Sequence, residues 1–322
     1  MPDMVETYAG PTAWWEGISP TVRERTILNE DVGLDEMFTL AGLDWTVSKQ
    51  PLMVAGKFPQ KVQQAVAIQR NTDGAVLGVV GPDYVTIQND AMKAIAKDIL
   101  DNADVKCHTA GSLFGGATVW VLLKVNGEQY VRGDGSPFSD YLLLRTGHNG
   151  RTSLGAFPTM VRVVCWNTET AAIMGASHRY TIKHTANAEY RVGEARRALD
   201  IHFKFTETMR EFLDSLTYKD FSPIAATQFT ETLLPIDPKS DNPYKTIAQR
   251  DSILALFDRS ETLVGVAPTA YRMYQAVAEY ADHVAPVFAT RRGSAGDRRV
   301  SSIVDGQAFD LKSRAAALLA KA

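Results

Sequence analysis

The chain has 322 residues, 45% of them hydrophobic, 22% charged and 9% aromatic, with a formal net charge of -3. That balance excludes a disordered chain and leaves enough apolar mass for one large core or two ordinary ones. Two cysteines, Cys107 and Cys165, are too few for a disulfide scaffold and point to a reducing compartment.

In chain order, the lead MPDMVETYAG carries no apolar targeting segment, and no apolar run is long enough to cross a bilayer. A soluble cytoplasmic protein without a membrane partner is therefore expected. The first forty residues read as a polar arm holding Trp14, Trp15 and Gly17, with a helix over Leu34–Leu40. Strands follow at 43–52 and 64–80, the latter broken by an Asn71-Thr72-Asp73-Gly74 turn that signals a hairpin. Asn89 or Asp90 is expected to cap a helix whose Met92, Ile95, Ala96, Ile99 and Leu100 recur at helical spacing. GSLFGG (111–116) precedes a strand instead of opening a helix, so a hairpin or bulge is expected there rather than a phosphate cradle.

Residues 117–133 return to strand around Asn126-Gly127. The segment YLLLRTGHNGRTSLGAFPTMVRVVCWNTET (141–170) predicts a hairpin closed by a type I′ turn at Asn149-Gly150. Beyond residue 186 the apolar period becomes helical: Val192, Ala195, Leu199, Met209, Phe212 and Leu216 predict one long amphipathic helix. Further helices are expected at 246–258, 269–285 and 307–321, with loops at 235–243 and 291–299. The predicted fold class is α+β. A polar arm (1–42) leads into a mostly antiparallel core with β-hairpins (43–186), and a helical region (187–322) follows.

The charge is unevenly spread. Between 145 and 197, eight basic residues (Arg145, Arg151, Arg162, Arg179, Lys183, Arg191, Arg196, Arg197) face three carboxylates (Glu169, Glu189, Glu194), a local balance of +5. Such asymmetry points to a polyanion. Strand alternation places Arg162, Val164 and Trp166 on one face, and Trp120, Leu122 and Lys124 on one face of the preceding strand. Aromatics interleaved with cations on an open sheet would stack bases and track phosphates. The alternative is that these tryptophans pack beneath the C-terminal helices.

Motifs for catalysis are missing from the sequence. There is no GxxxxGK[ST] loop and no CxxC or HExxH pattern; the spacing of His178 and His184 suits neither one helical face nor a tight metal loop. Cys165 reads as a small core residue in an apolar strand. Asp134, Asp140 and Glu169 could converge on a metal, but no spacing shows it. No cofactor is expected, and an enzyme is the weakest reading. Asn167 and His184 read as closing strand ends by local hydrogen bonds.

Several stretches carry a family resemblance: Trp15 and Gly17, LDWTV (43–47), VGPDYVTIQNDA (80–91), AGSLFGGATVW (110–120), VRVVCWNT (161–168), IKHT (182–185) and TAYRMYQAVAEYADH (269–283). On these the chain resembles the phage/plasmid-like family catalogued as a domain of unknown function and found in actinobacterial phages, plasmids and mobile islands. The resemblance implies work on DNA: recombination, replication or counter-defence. At the level of fold alone the chain is similar to single-strand annealing recombinases, which hold single-stranded DNA in a basic groove without ATP and assemble into rings.

The leading expectation is an ATP-independent single-stranded DNA-binding protein of a mobile element, with annealing recombination as its specific form and homo-oligomers as its assembly. Arg145, Arg151, Arg162, Arg179 and Lys183 would contact phosphates, joined by Lys124, with Trp166 or Trp120 stacking bases. The alternatives are an accessory protein that captures a host protein and a metal-dependent nuclease.

Overall fold

The computed structural model describes residues 7–9, 24–26, 32–162, 167–170, 180–181, 188–239, 243–291 and 293–321. Short strands β1 (Thr7–Ala9) and β2 (Glu24–Thr26) precede helix α1 (Leu34–Leu40). Strands β3 (Val47–Val54), β4 (Gln60–Arg70) and β5 (Val76–Val80) lead into helix α2 (Asn89–Leu100). The central strands are β6 (Val105–Leu113), β7 (Thr118–Tyr130), β8 (Pro137–Gly147), β9 (Gly155–Arg162), β10 (Asn167–Thr170) and β11 (Tyr180–Thr181). Helices α3 (Ala188–Leu216), α4 (Pro223–Leu233), α5 (Tyr244–Arg259), α6 (Ala270–Glu279), α7 (Ala295–Asp305) and α8 (Gln307–Lys321) complete the order. The α+β expectation holds.

The main sheet runs β10-β9-β8-β7-β6-β1-β2, with β11 on β9, and is antiparallel except for the β1–β2 pair. A separate sheet, β3-β4-β5, stands beside it. Alternation sorts the main sheet as the sequence implies. Val119, Val121, Leu123, Leu142 and Leu144 turn toward α1, α2 and the first half of α3. Trp120, Leu122, Tyr141, Leu143 and Phe157 turn toward the C-terminal helices. Neither face is open, and β8 is buried along nearly its whole length. The unbroken apolar run YLLL is the mark of a strand covered on both sides.

Helix α3 belongs to both cores: Ala195, Ala198 and Leu199 join the first, Phe205, Met209, Phe212 and Leu216 the second. Its 29 residues span about 43 Å. The helical region and the sheet therefore pack together in both cores.

Three local expectations need correction. Asn89 does not cap α2; Gln88 holds that position, and Asn89 is buried in the first turn, donating to the carbonyls of Leu43 and Trp45. The loop expected over 291–299 becomes helix from Ala295, where α7 begins, whereas β7 runs through Asn126-Gly127 as expected, with a bulge between Val125 and Glu128. The loop at Asn149-Gly150 is not type I′, because only Gly150 has positive φ. Instead the Asn149 carboxamide oxygen accepts from the amides of Arg151 and Thr152. GSLFGG does form the β6–β7 hairpin connection, with Phe114, Gly115 and Gly116 at φ 55, 66 and 94°.

Candidate nucleic-acid interface

The predicted platform does not form on the main sheet. Trp120 is 2% exposed and packed in the helical core, so it cannot stack a base. Arg145, opposite it across the β7–β8 ladder, is buried over the Phe157 ring and paired to Asp305 of α7 at 2.5 Å. Arg162 is 1% exposed. Its guanidinium grips both carboxylate oxygens of Asp134, at 2.5 and 2.9 Å, and donates to the Ser136 hydroxyl and the Thr262 carbonyl. Asp134 also accepts from the Tyr271 hydroxyl. Burial works to raise the Asp134 pKa, but the hydrogen bonds from Arg162 and Tyr271 prevail and hold it below the usual range.

Arg145 and Arg162 therefore pin helices to the sheet, and the same chemistry that binds phosphate binds carboxylate. Lys124 lies half-buried on the same face as Trp120. Trp166, Arg179 and Lys183 lie outside the described residues, as do His178 and His184. The side chain of Asn167, in β10, is likewise not described. Of the predicted contacts, Arg151 is exposed, beside the Asn149-Gly150 loop.

That loop carries the second sheet. A Cβ on Gly78 of β5 would come within 2.6 Å of the Asn149 backbone, and one on Gly150 within 2.6 Å of Val80. Glycine at 78 lets the two backbones meet, and glycine at 150 leaves room for the Val80 side chain. The base of the sheet is locked by Arg70, which stacks over Trp45 and forks onto Asp73 at 2.6 and 2.9 Å. His148 packs against Trp45 and hydrogen-bonds Asn89 at 3.0 Å.

Beyond this anchor, β3 and β4 continue as a two-stranded ribbon. Strand β5 pairs only with Val66–Gln69, whereas β3 pairs with β4 out to Val54↔Gln60, past an irregularity between Pro51 and Met53. Met53, Val54, Gln60, Lys61, Gln63 and Gln64 are all exposed, so this part of the ribbon has solvent on both faces. At its tip Phe58 is 76% exposed, with the Lys57 ammonium over its ring. From Trp45 to Thr72 there are four basic residues and no Asp or Glu. Arg70 is spent on Asp73, leaving Lys49, Lys57 and Lys61; Lys49 leans on the Pro82 carbonyl. Residues 53–63 lie between the expected strands, although their two lysines and isolated Phe, with no carboxylate, are a readable signal.

Among the described residues no three His, Cys, Asp or Glu side chains gather to hold a metal. Burial pushes the Cys107 thiol up to about 12 and the His148 imidazole, also repelled by Arg70, down to about 4. Asp140 is raised to about 7 by burial, opposed by a hydrogen bond from Gln129.

The chain belongs to the family described as Domain of unknown function (DUF932), whose model matches residues 76–304. No curated protein and no solved structure matches it. The matched segment begins at the first residue of β5, so the β3–β4 ribbon precedes it. Among the described residues no helix is long and apolar enough to cross a membrane.

Proposed function

We propose that this protein binds single-stranded DNA without a nucleotide cofactor, and that the contact lies on the β3–β4 ribbon and Arg151 rather than on the main sheet. The observation that carries this reading is the carboxylate-free ribbon with Lys49, Lys57, Lys61 and exposed Phe58. The lysines would displace counterions from phosphates, and Phe58 would stack on an unpaired base. A duplex offers no free base face, so stacking favours the single strand. Strand annealing in a phage or mobile element, by a homo-oligomer that presents several ribbons, is the specific form of this activity that we propose.

The test is binding of a fluorescent oligonucleotide across a salt series. Log affinity should fall with log salt at about −0.7 per phosphate contact. Lys57→Glu with Lys61→Glu should flatten that slope and weaken binding, and Phe58→Ala should cost about 1–3 kcal/mol. Affinity indifferent to salt and to these three exposed positions would refute the proposal.

A further inference from the structure

A groove of about 880 Å³ runs between α5 and α8 at the far end of the chain. Lys245, Thr246 and Gln249 of α5 form one wall, and Phe309 and Arg314 of α8 the other. Its floor comes from the turn that ends α6. Residues Tyr280–Val284 make a π-turn there, closed by the Ala285 amide donating to the Tyr280 carbonyl at 2.7 Å.

A π-turn is an unfavourable local geometry that persists when neighbours fix it, and it often marks a functional site. Here the fixing is heavy. Lys312 and Asp282, both 0% exposed, pair at 2.7 and 2.9 Å. Arg299 donates to the carbonyls of Asp282 and Ala285 at 2.7 and 2.9 Å. The widened turn sets Tyr280, Ala281 and Ala285 along the groove, so the recess is built before anything enters it.

Large apolar side chains next in the chain to groove residues face water: Tyr244 beside Lys245 is 78% exposed, Phe288 beside Val287 73% and Val284 beside Ala285 47%. The rim charges are Lys245 and Arg314, both exposed, against the single carboxylate of Asp310. Arg314 gives one hydrogen bond, to the Leu233 carbonyl, and its outer face is left to solvent. A trough with an apolar floor (Ala281, Ala285, Pro286 and Val287), polar walls and a cation on each wall fits a chain that pairs apolar side chains with carboxylates. Polynucleotide fits it poorly, because two cations over an apolar floor would leave most phosphates unpaired.

We propose that the α5–α8 groove receives an acidic amphipathic peptide segment of a partner protein. Apolar side chains of the segment fill the trough over Ala281 and Ala285. Its carboxylates meet Lys245 and Arg314, which steer encounter and set orientation.

The experiment uses the full chain and a labelled synthetic peptide of about four helical turns, Leu and Phe on one face and Glu on the other, read by fluorescence anisotropy. A counterpart with Lys in place of Glu is the control. The acidic peptide should bind with salt-sensitive affinity and the basic one should not. K245E/R314E, two exposed positions, should weaken binding about ten-fold or more with the melting temperature unchanged. Val287→Asp, which puts a charge in the trough, should weaken it as well. Lys57→Glu with Lys61→Glu should leave peptide binding untouched, which separates this site from the ribbon. Equal binding of both peptides, no binding of the acidic one, or indifference to K245E/R314E would overturn the proposal. Binding lost only as the chain self-associates would assign the groove to a second copy and overturn it too.

Discussion

Asp134 and Arg162 face each other with both side chains 1% exposed, and each holds the other's hydrogen-bonding capacity. Removing one leaves a charge stranded in a medium that cannot solvate it. Asp134→Ala should therefore cost about 3–5 kcal/mol in urea unfolding, and Asp134→Ala with Arg162→Leu should recover part of that loss. His148 and His202, each 0% exposed, give a pH prediction. Burial lowers both to about 4, with Arg70 adding to the effect on His148. Between the ordinary histidine pKa and that value the unfolded chain binds more protons, so stability falls as pH drops from about 6.5 to 4. Each imidazole contributes a loss on the order of 3 kcal/mol. Asp140, raised to about 7, opposes this in the same window, since its neutral form favours the fold as pH falls. Among the described residues neither ring nitrogen of His202 finds a hydrogen bond. His202→Leu should flatten the acid slope, as read by melting temperature against pH; an unchanged slope would show that another group controls it.

Helix α7 shows how an element can be held at both ends and still be missed in sequence. Its start is a capping box, Ser294 accepting from the Asp297 amide while Asp297 accepts from the Ser294 amide. Its end is held by the Arg145–Asp305 pair. Asp305→Ala should cost about 1–3 kcal/mol and lower hydrogen-exchange protection most within Ala295–Asp305. The string RRGSAGDRR reads as loop because glycine and charge dominate it, yet its Ser-Ala-Gly-Asp spacing is the cap itself. Helix α4 was hidden in the same way behind Ser222-Pro223, where Ser222 accepts from the Ala225 amide. The helices with a full apolar stripe, α2, α3, α5, α6 and α8, were legible by period. For the strands, alternation sorted β7 into its two faces but carried no information on what covers them, and the register sets Arg162 opposite Phe138, on the other face from Trp120. Arg162 looked like a solvent-facing cation because its partner, Asp134, lies 28 residues away and only the fold brings the two together.

At the scale of the molecule, a chain of net charge -3 keeps Arg145 and Arg162 of its main sheet internal and leaves Lys57 and Lys61 exposed on the ribbon. On the proposed reading, the bulk charge would repel a polyanion while the ribbon attracts it, orienting encounter as well as strengthening it. Exchanging Lys57 and Lys61 for glutamate should therefore slow association at low salt more than it speeds dissociation, a difference stopped-flow fluorescence would resolve.

The reach of that ribbon has a further consequence. Gly56-Lys57-Phe58 is an exposed tip held by strand pairing alone, which is where limited proteolysis begins. Trypsin should nick the native chain after Lys57, whereas Pro59 shields the Phe58 bond from chymotrypsin, and Arg145, Arg162 and Lys312 stay sheltered in the interior. A bound oligonucleotide should mask the cut, so a timed digest would serve as a footprint of occupancy.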